Sequence, residues 1–209
     1  MKKLNFLKIG VIFSLLFFFC QNLSAQNFII NDDKLIDDRA KEKINQMGDE
    51  VKSKLGVNIY VYVKSTLGLD ENIKTKEKID IIKSNENQII SKLENPYVLL
   101  SISVEETHVN LLFSEEFKTI LDKDDILDGY VVPLLASKDK NTLFSKVSAA
   151  TLNGYGAIAD TIADSKNIKL ESSIGNSGKV SSTIWRVLMY TIIILGLFAY
   201  TYAILKKRK

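Results

Sequence analysis

The residues best suited to chemistry are acidic. Asp122, Asp124, Asp125 and Asp128 form the densest carboxylate cluster in the chain. Hard oxygen donors of this kind suit Ca²⁺ or Mg²⁺. A metal set of Asp32, Asp122, Asp124 and Asp125 would require Asp32 to approach from across the end of a sheet. The spacing is not that of an EF-hand, because Ile126 and Leu127 stand where a ligand and the turn glycine are needed. The same aspartates suit a second role, capping a helix N-terminus and complementing its dipole. Glu115 and Glu116 fit either account and also a plain solvated surface. His108 is the single histidine, and without a second histidine beside it the expected role is that of a strand-edge residue.

Other chemistries lose their residues early. There is no GxSxG string for a nucleophile elbow and no GxxxxGK[ST] phosphate cradle; Gly129, Gly154 and Gly156 lie in helical patterns. The one cysteine, Cys20, rules out CxxCH haem attachment, cysteine-ligated zinc and a disulfide framework. Acidic residues are plentiful, but no carboxylate pair is singled out for glycosidase work. No catalytic residue is nominated, and no cofactor beyond a candidate Ca²⁺ or Mg²⁺.

The elements that must position these residues sit between two apolar ends. MKKLNFLK, then IGVIFSLLFFF, then a polar stretch closing in LSA, have the layout of a secretory signal peptide, with cleavage expected after Ala25. Phe17, Phe18 and Phe19 precede Cys20 where a lipidation site wants small residues. At the far end, residues 184–205 carry one charge, Arg186, near the outer edge. Trp185, Tyr190, Tyr200 and Tyr202 stand near the boundaries, and Lys206, Lys207, Arg208 and Lys209 follow. That pattern predicts a transmembrane helix whose basic tail, 206–209, stays in the cytoplasm. The protein is then expected in the inner (cytoplasmic) membrane as a single-pass protein, with its domain on the periplasmic side.

The charge balance follows the same division. Of 28 Lys and Arg, eight lie in the two ends, whereas all 25 Asp and Glu lie between them, so residues 26–183 carry a net charge of −5. A basic surface for nucleic acid has no support in that balance.

Within the middle, Ile36, Ala40, Ile44, Met47, Val51 and Leu55 follow helical spacing, with Asp32 or Asp33 as the expected N-cap and Gly56 as the stop. VNIYVYV (57–63) reads as a buried strand. A helix is expected over 74–93, with Ile79, Ile82, Ile89 and Leu93 on one face. YVLLSIS (97–103) and HVNLLF (108–113) form an expected antiparallel hairpin. Helical patterns resume over 117–136, interrupted by Pro133, and over 142–163. The order implies an α/β fold, a mixed sheet flanked by helices on both faces. Residues 166–183, rich in Ser, Gly and Asn, read as a flexible tether.

This order, with INDDKLID (30–37), KLGVNIYVYV (54–63), the YVLLSIS/HVNLLF hairpin and ILDGYVVPLL (126–135), resembles the TPM domain family over residues 30–163. The family's G-x-G turn after the hairpin is replaced here by Ser114 and Glu116, and its Asn-Gly before the hairpin by Asn95-Pro96. The resemblance implies an exported TPM-like domain, 26–165, of a family with some calcium-binding members and some credited with acid-phosphatase activity. Two functions are therefore expected. The first is a membrane-tethered extracytoplasmic interaction domain that assists assembly, maintenance or regulation of a membrane protein complex. The alternative is a divalent-metal-dependent phosphatase acting on phosphate monoesters.

Overall fold

A computed structural model describes residues 27–70, 73–175 and 190–196. Strands β1 (Ile29–Asn31), β2 (Asn58–Lys64), β3 (Tyr97–Ser103) and β4 (His108–Phe113) form one mixed sheet in the order β1-β2-β3-β4. The first three are parallel, and β4 runs antiparallel to β3. Helix α1 (Asp38–Leu55) joins β1 to β2 and α2 (Thr75–Ile90) joins β2 to β3. After the hairpin come a 3₁₀ turn (Glu115–Phe117), α3 (Lys123–Ile126), a π turn (Leu127–Val131), α4 (Val132–Leu135) and the long α5 (Leu143–Ser165).

The alternation of β2 and β3 sorts the core. Ile59, Val61, Val63, Val98, Leu100 and Ile102 are all essentially inaccessible and point to one face. There α1 and α5 lie side by side and parallel. Ser148 near the start of α5 accepts from the Asp37 amide at the start of α1, and Lys166 after α5 donates to the Leu55 carbonyl at the end of α1. Close approach is possible because Gly48 faces Phe28 and Tyr155; a Cβ there would lie 2.3 Å from the Phe28 ring. Tyr155, fully buried, donates through its hydroxyl to the Ile59 carbonyl. Helix α2 covers the opposite face, where Asn85 meets Tyr62 and Glu86 meets His108 and Asn110. The sheet is thus flanked by helices on both faces. The crossovers β1–α1–β2 and β2–α2–β3 advance in the same direction across the sheet yet use opposite faces. They therefore have opposite hands, so one is left-handed, a form found in only about 2% of such units.

Several sequence expectations shift. The N-cap of α1 is Asp37, accepting from the Ala40 amide, because β1 continues to Asn31 and Asp33–Lys34 then turn with positive φ. Gly56 ends α1 at φ 69°, as expected of a left-handed C-cap. The helical stretch expected over 117–136, with an interruption at Pro133, is divided into several short pieces. Asp122 starts a new turn by accepting from the Asp124 and Asp125 amides, and the backbone then widens into the π turn. Pro133 gives the reason for the widening, since its ring would press on the carbonyl four residues back, at Gly129. Ile79, expected on the buried face of α2, is 44% exposed.

Part of the expected tether lies against the domain. Beyond Asn167, which turns the chain with φ 55°, residues 168–175 run back along the groove between α1 and α5, antiparallel to both. Lys169 accepts from Lys54 and the amides of Glu171 and Ser172 donate to Glu50, one turn back on α1. Ser173 donates to Asp160, and the Ile174 side chain lies over Gly156 on α5.

The expected signal peptide and basic tail lie outside the described residues. Of the expected membrane span only 190–196 is described; it is helical and exposed. Among the described residues no helix is long and apolar enough to cross a membrane.

Candidate functional site

The C-terminal ends of the parallel strands, the start of α1 and the β3–β4 turn meet at one end of the sheet, the usual place for sites in α/β folds. Asp33, in the left-handed region at φ 43°, accepts from the Ser65 amide (2.9 Å), the Ser65 hydroxyl (2.9 Å) and Asn31 Nδ2 (2.9 Å). The Ser65 amide, followed by Asn31, holds the Asp33 carboxyl below its ordinary pKa. Two successive non-glycine residues with positive φ cost about 1–2 kcal/mol each, and this carboxylate network opposes that cost. One residue on, Thr66 and the Leu67 amide donate to Oε1 of Glu106, a buried carboxylate in the hairpin turn. Its other oxygen, Oε2, is buried without a hydrogen-bond partner. Asp33 and Glu106 therefore flank the end of β2.

A second polar group lies on the α2 face. Glu86 is 3% exposed and bonds His108 Nε2 at 2.9 Å and Asn110 Nδ2 at 2.8 Å. Lys123 Nζ donates to the Asn110 side-chain oxygen, tying α3 to the edge of β4. Burial pushes the Glu86 carboxyl up, but His108 and Asn110 outweigh it and leave the group below its ordinary value. His108, expected to be an edge residue, is the partner of a buried acid.

The four candidate metal ligands are not brought together. Asp32 pairs with Lys41 at 2.6 Å beside β1. Asp122, Asp124 and Asp125 sit at the start of α3, which Lys123 ties to β4, the opposite edge of the sheet. Three strand spacings separate those edges, about 14 Å. Asp122 acts as the helix cap of the second reading. Among the described residues no group of three or more His, Cys, Asp or Glu side chains is placed to hold a metal ion.

On the α5 face, the hairpin end opens into a cavity of about 390 Å³. Its walls are mainly apolar, including Ile102, Val104, Val109, Val132, Leu135 and Leu143, with Ser103, Thr107 and His108 at the polar side. Val132 is 38% exposed and Leu143 51%, so the groove is an open apolar surface rather than part of the core.

With this geometry the chain is similar to the N-terminal domain of a protein from P. gingivalis, solved by NMR. The two are 13% identical with a TM-score of 0.52, over 71% of this chain and 90% of that one. The two domains share a fold. Lower similarity is found to the N-terminal domain of the cg2496 protein from Corynebacterium glutamicum, at 16% identity and TM-score 0.39, over 76% of this chain and 89% of that one. The BA42 protein from the psychrophilic bacterium Bizionia argentinensis follows at 15% identity and TM-score 0.38, over 67% and 94%. No protein-family model matches the chain, and no curated protein matches it.

Proposed function

We propose that this chain is a TPM-like interaction domain, exported behind a signal peptide and held to the inner membrane by residues 184–205. In this reading it assists the assembly, maintenance or regulation of a membrane protein complex. The observation that carries the reading is the open apolar groove between the hairpin end, α4 and the start of α5. Val132 and Leu143 there expose more apolar surface than a closed core would leave. A photo-crosslinking residue at Val132, tested in native membranes, should give a discrete adduct with a membrane protein. Ala136→Trp, which narrows the groove, should abolish that adduct. The same adducts from position 53, at the far end of α1, would overturn the reading.

A second reading, a divalent-metal-dependent phosphatase, is favoured by the unpartnered Oε2 of buried Glu106. Together with Asp33 it offers oxygen donors, the chemistry that Ca²⁺ or Mg²⁺ prefers. These are not the aspartates that the sequence pattern nominated. Ca²⁺ or Mg²⁺ should raise the melting temperature of the parent and not of Glu106→Gln, alongside hydrolysis of a phosphate monoester. Equal melting of both proteins with and without metal would remove this reading.

A further inference from the structure

The route of residues 168–175 sets the heading of the chain as it leaves the domain toward the apolar segment beginning at Ile184. The chain leaves α5 at Ser165, reverses, and by Ile174 has returned to the level of Gly156. It is then heading toward the N-terminal end of α5. From Gly156 to Phe144 that helix rises about 18 Å. The eight residues 176–183 can span at most about 28 Å. The start of α5, toward which the chain is heading, is therefore within reach of Ile184.

The start of α5 is built unlike the rest of that helix. Leu143 and Phe144, adjacent in sequence, are 51% and 42% exposed, whereas Val147, Ala150, Tyr155, Ile158 and Ile162 are fully buried. Leu143 continues into the groove wall beside Val132. In the preceding loop Lys138 and Lys140 are exposed, and Lys146 is pinned to the Ser137 carbonyl and faces Asp139. Two neighbouring large apolar side chains, flanked by lysines that can reach headgroup phosphates, match what an interfacial segment needs.

We infer that the domain rests on the bilayer through this tip, with Leu143 and Phe144 seated at the lipid interface and Lys138 and Lys140 among the headgroups. The inference depends on the proposed anchoring by residues 184–205. It adds an orientation: the groove opens beside the membrane surface, where a membrane-embedded partner presents its extracytoplasmic edge.

The test uses the full chain with Cys20→Ser, reconstituted into vesicles of phosphatidylcholine and phosphatidylglycerol that include lipids carrying a quencher. An environment-sensitive fluorophore is placed at Asn141→Cys, beside the tip, or at Ser53→Cys, near the far end of α1. The label at 141 should be quenched severalfold more than the label at 53. Leu143→Ser with Phe144→Ser should bring the two to the same level; both side chains are about half exposed, and a urea midpoint measured on the variant shows that it remains folded. Equal quenching at 141 and 53 in a chain that floats with the vesicles overturns the inference and leaves the anchor standing. Quenching at 141 that survives the double substitution also overturns it. A chain that does not float overturns the anchoring and the inference together.

Discussion

Replacing Glu50 by glutamine tests how the C-terminal segment is held. The carboxylate accepts from the Glu171 and Ser172 amides, both at 2.7 Å, from the Ser172 hydroxyl, and from Lys54 at 2.7 Å. Burial opposes its ionisation, yet Lys54 and the Ser172 and Glu171 donors outweigh that and bring its pKa from 4.5 to about 2. Its side chain is 13% exposed, so solvent screens the site only in part. A depression of that size corresponds to about 3 kcal/mol of folded-state stabilisation. Because the folded pKa is lowered, this contribution is complete above the unfolded value. It is lost as pH falls through the folded one, leaving about 1 kcal/mol at pH 3 and little at pH 2. Glutamine keeps one acceptor oxygen, so the expected cost of Glu50→Gln at pH 7 is about 2 kcal/mol. Urea unfolding of residues 27–175, parent against variant across that pH range, measures the cost. Amide exchange at Glu171 and Ser172 reports whether the segment is the part released. A cost that stays constant from pH 7 to pH 2, or unchanged exchange at those two amides, would refute the assignment of this stability to the ionised carboxylate.

Other substitutions probe the remaining joints. Gly48→Ala should destabilise by about 1–3 kcal/mol, because the methyl meets the Phe28 ring and the Tyr155 hydroxyl at the crossing of α1 and α5; a midpoint in urea within error of the parent would count against that packing. Asp37→Ala should cost about 1 kcal/mol by uncapping α1, whereas Asp33→Ala should do more, freeing the positive-φ turn; comparing the two melts tests the order. His108→Ala should loosen α2, raising amide exchange across residues 82–90 before any global change. The stabilisation that Glu86 draws from its partners should be intact at neutral pH and fade as pH falls through its depressed pKa; Glu86→Gln should flatten that limb of the pH–stability curve.

The parts of the fold legible in the sequence were those where one residue type settles the backbone. The hairpin strands occur at the expected 97–103 and 108–113, because two largely apolar runs, YVLLSIS and HVNLLF, are parted by the polar Glu-Glu-Thr turn. Gly56 marked the end of α1 for the same kind of reason, since only a left-handed residue terminates the helix there. Asp37 was harder to see: four acidic residues lie between 32 and 38, and the choice of cap depends on how far β1 runs, which is set by its pairing with β2. The interruption within 117–136 was marked by Pro133, whereas the new turn begun at Asp122 was not, since any of the clustered aspartates could have been its cap.

The candidate site was less legible. Glu86 did leave a trace, because it fills the gap in the apolar stripe of Ile79, Ile82, Ile89 and Leu93, where a charge on the buried side demands a partner. Glu106 left none, since acids in hairpin turns are ordinary and only the return of Thr66 and Leu67 buries this one. The clustered aspartates drew attention by density, but density along the chain is not convergence in space. A four-residue helix absorbs them at its start.

The reversal of residues 168–175 also decides how the molecule would bear a pull. Traction on the chain beyond Gly175, directed toward the start of α5, runs along the segment rather than away from its bed. The bonds to Glu50, Asp160 and Lys54 and the Ile174 contact would then be strained together in shear, not opened one at a time as in peeling. The load passes into α1 and α5 as a pair, and the four strands, with the groove at their end, lie outside the path of the force.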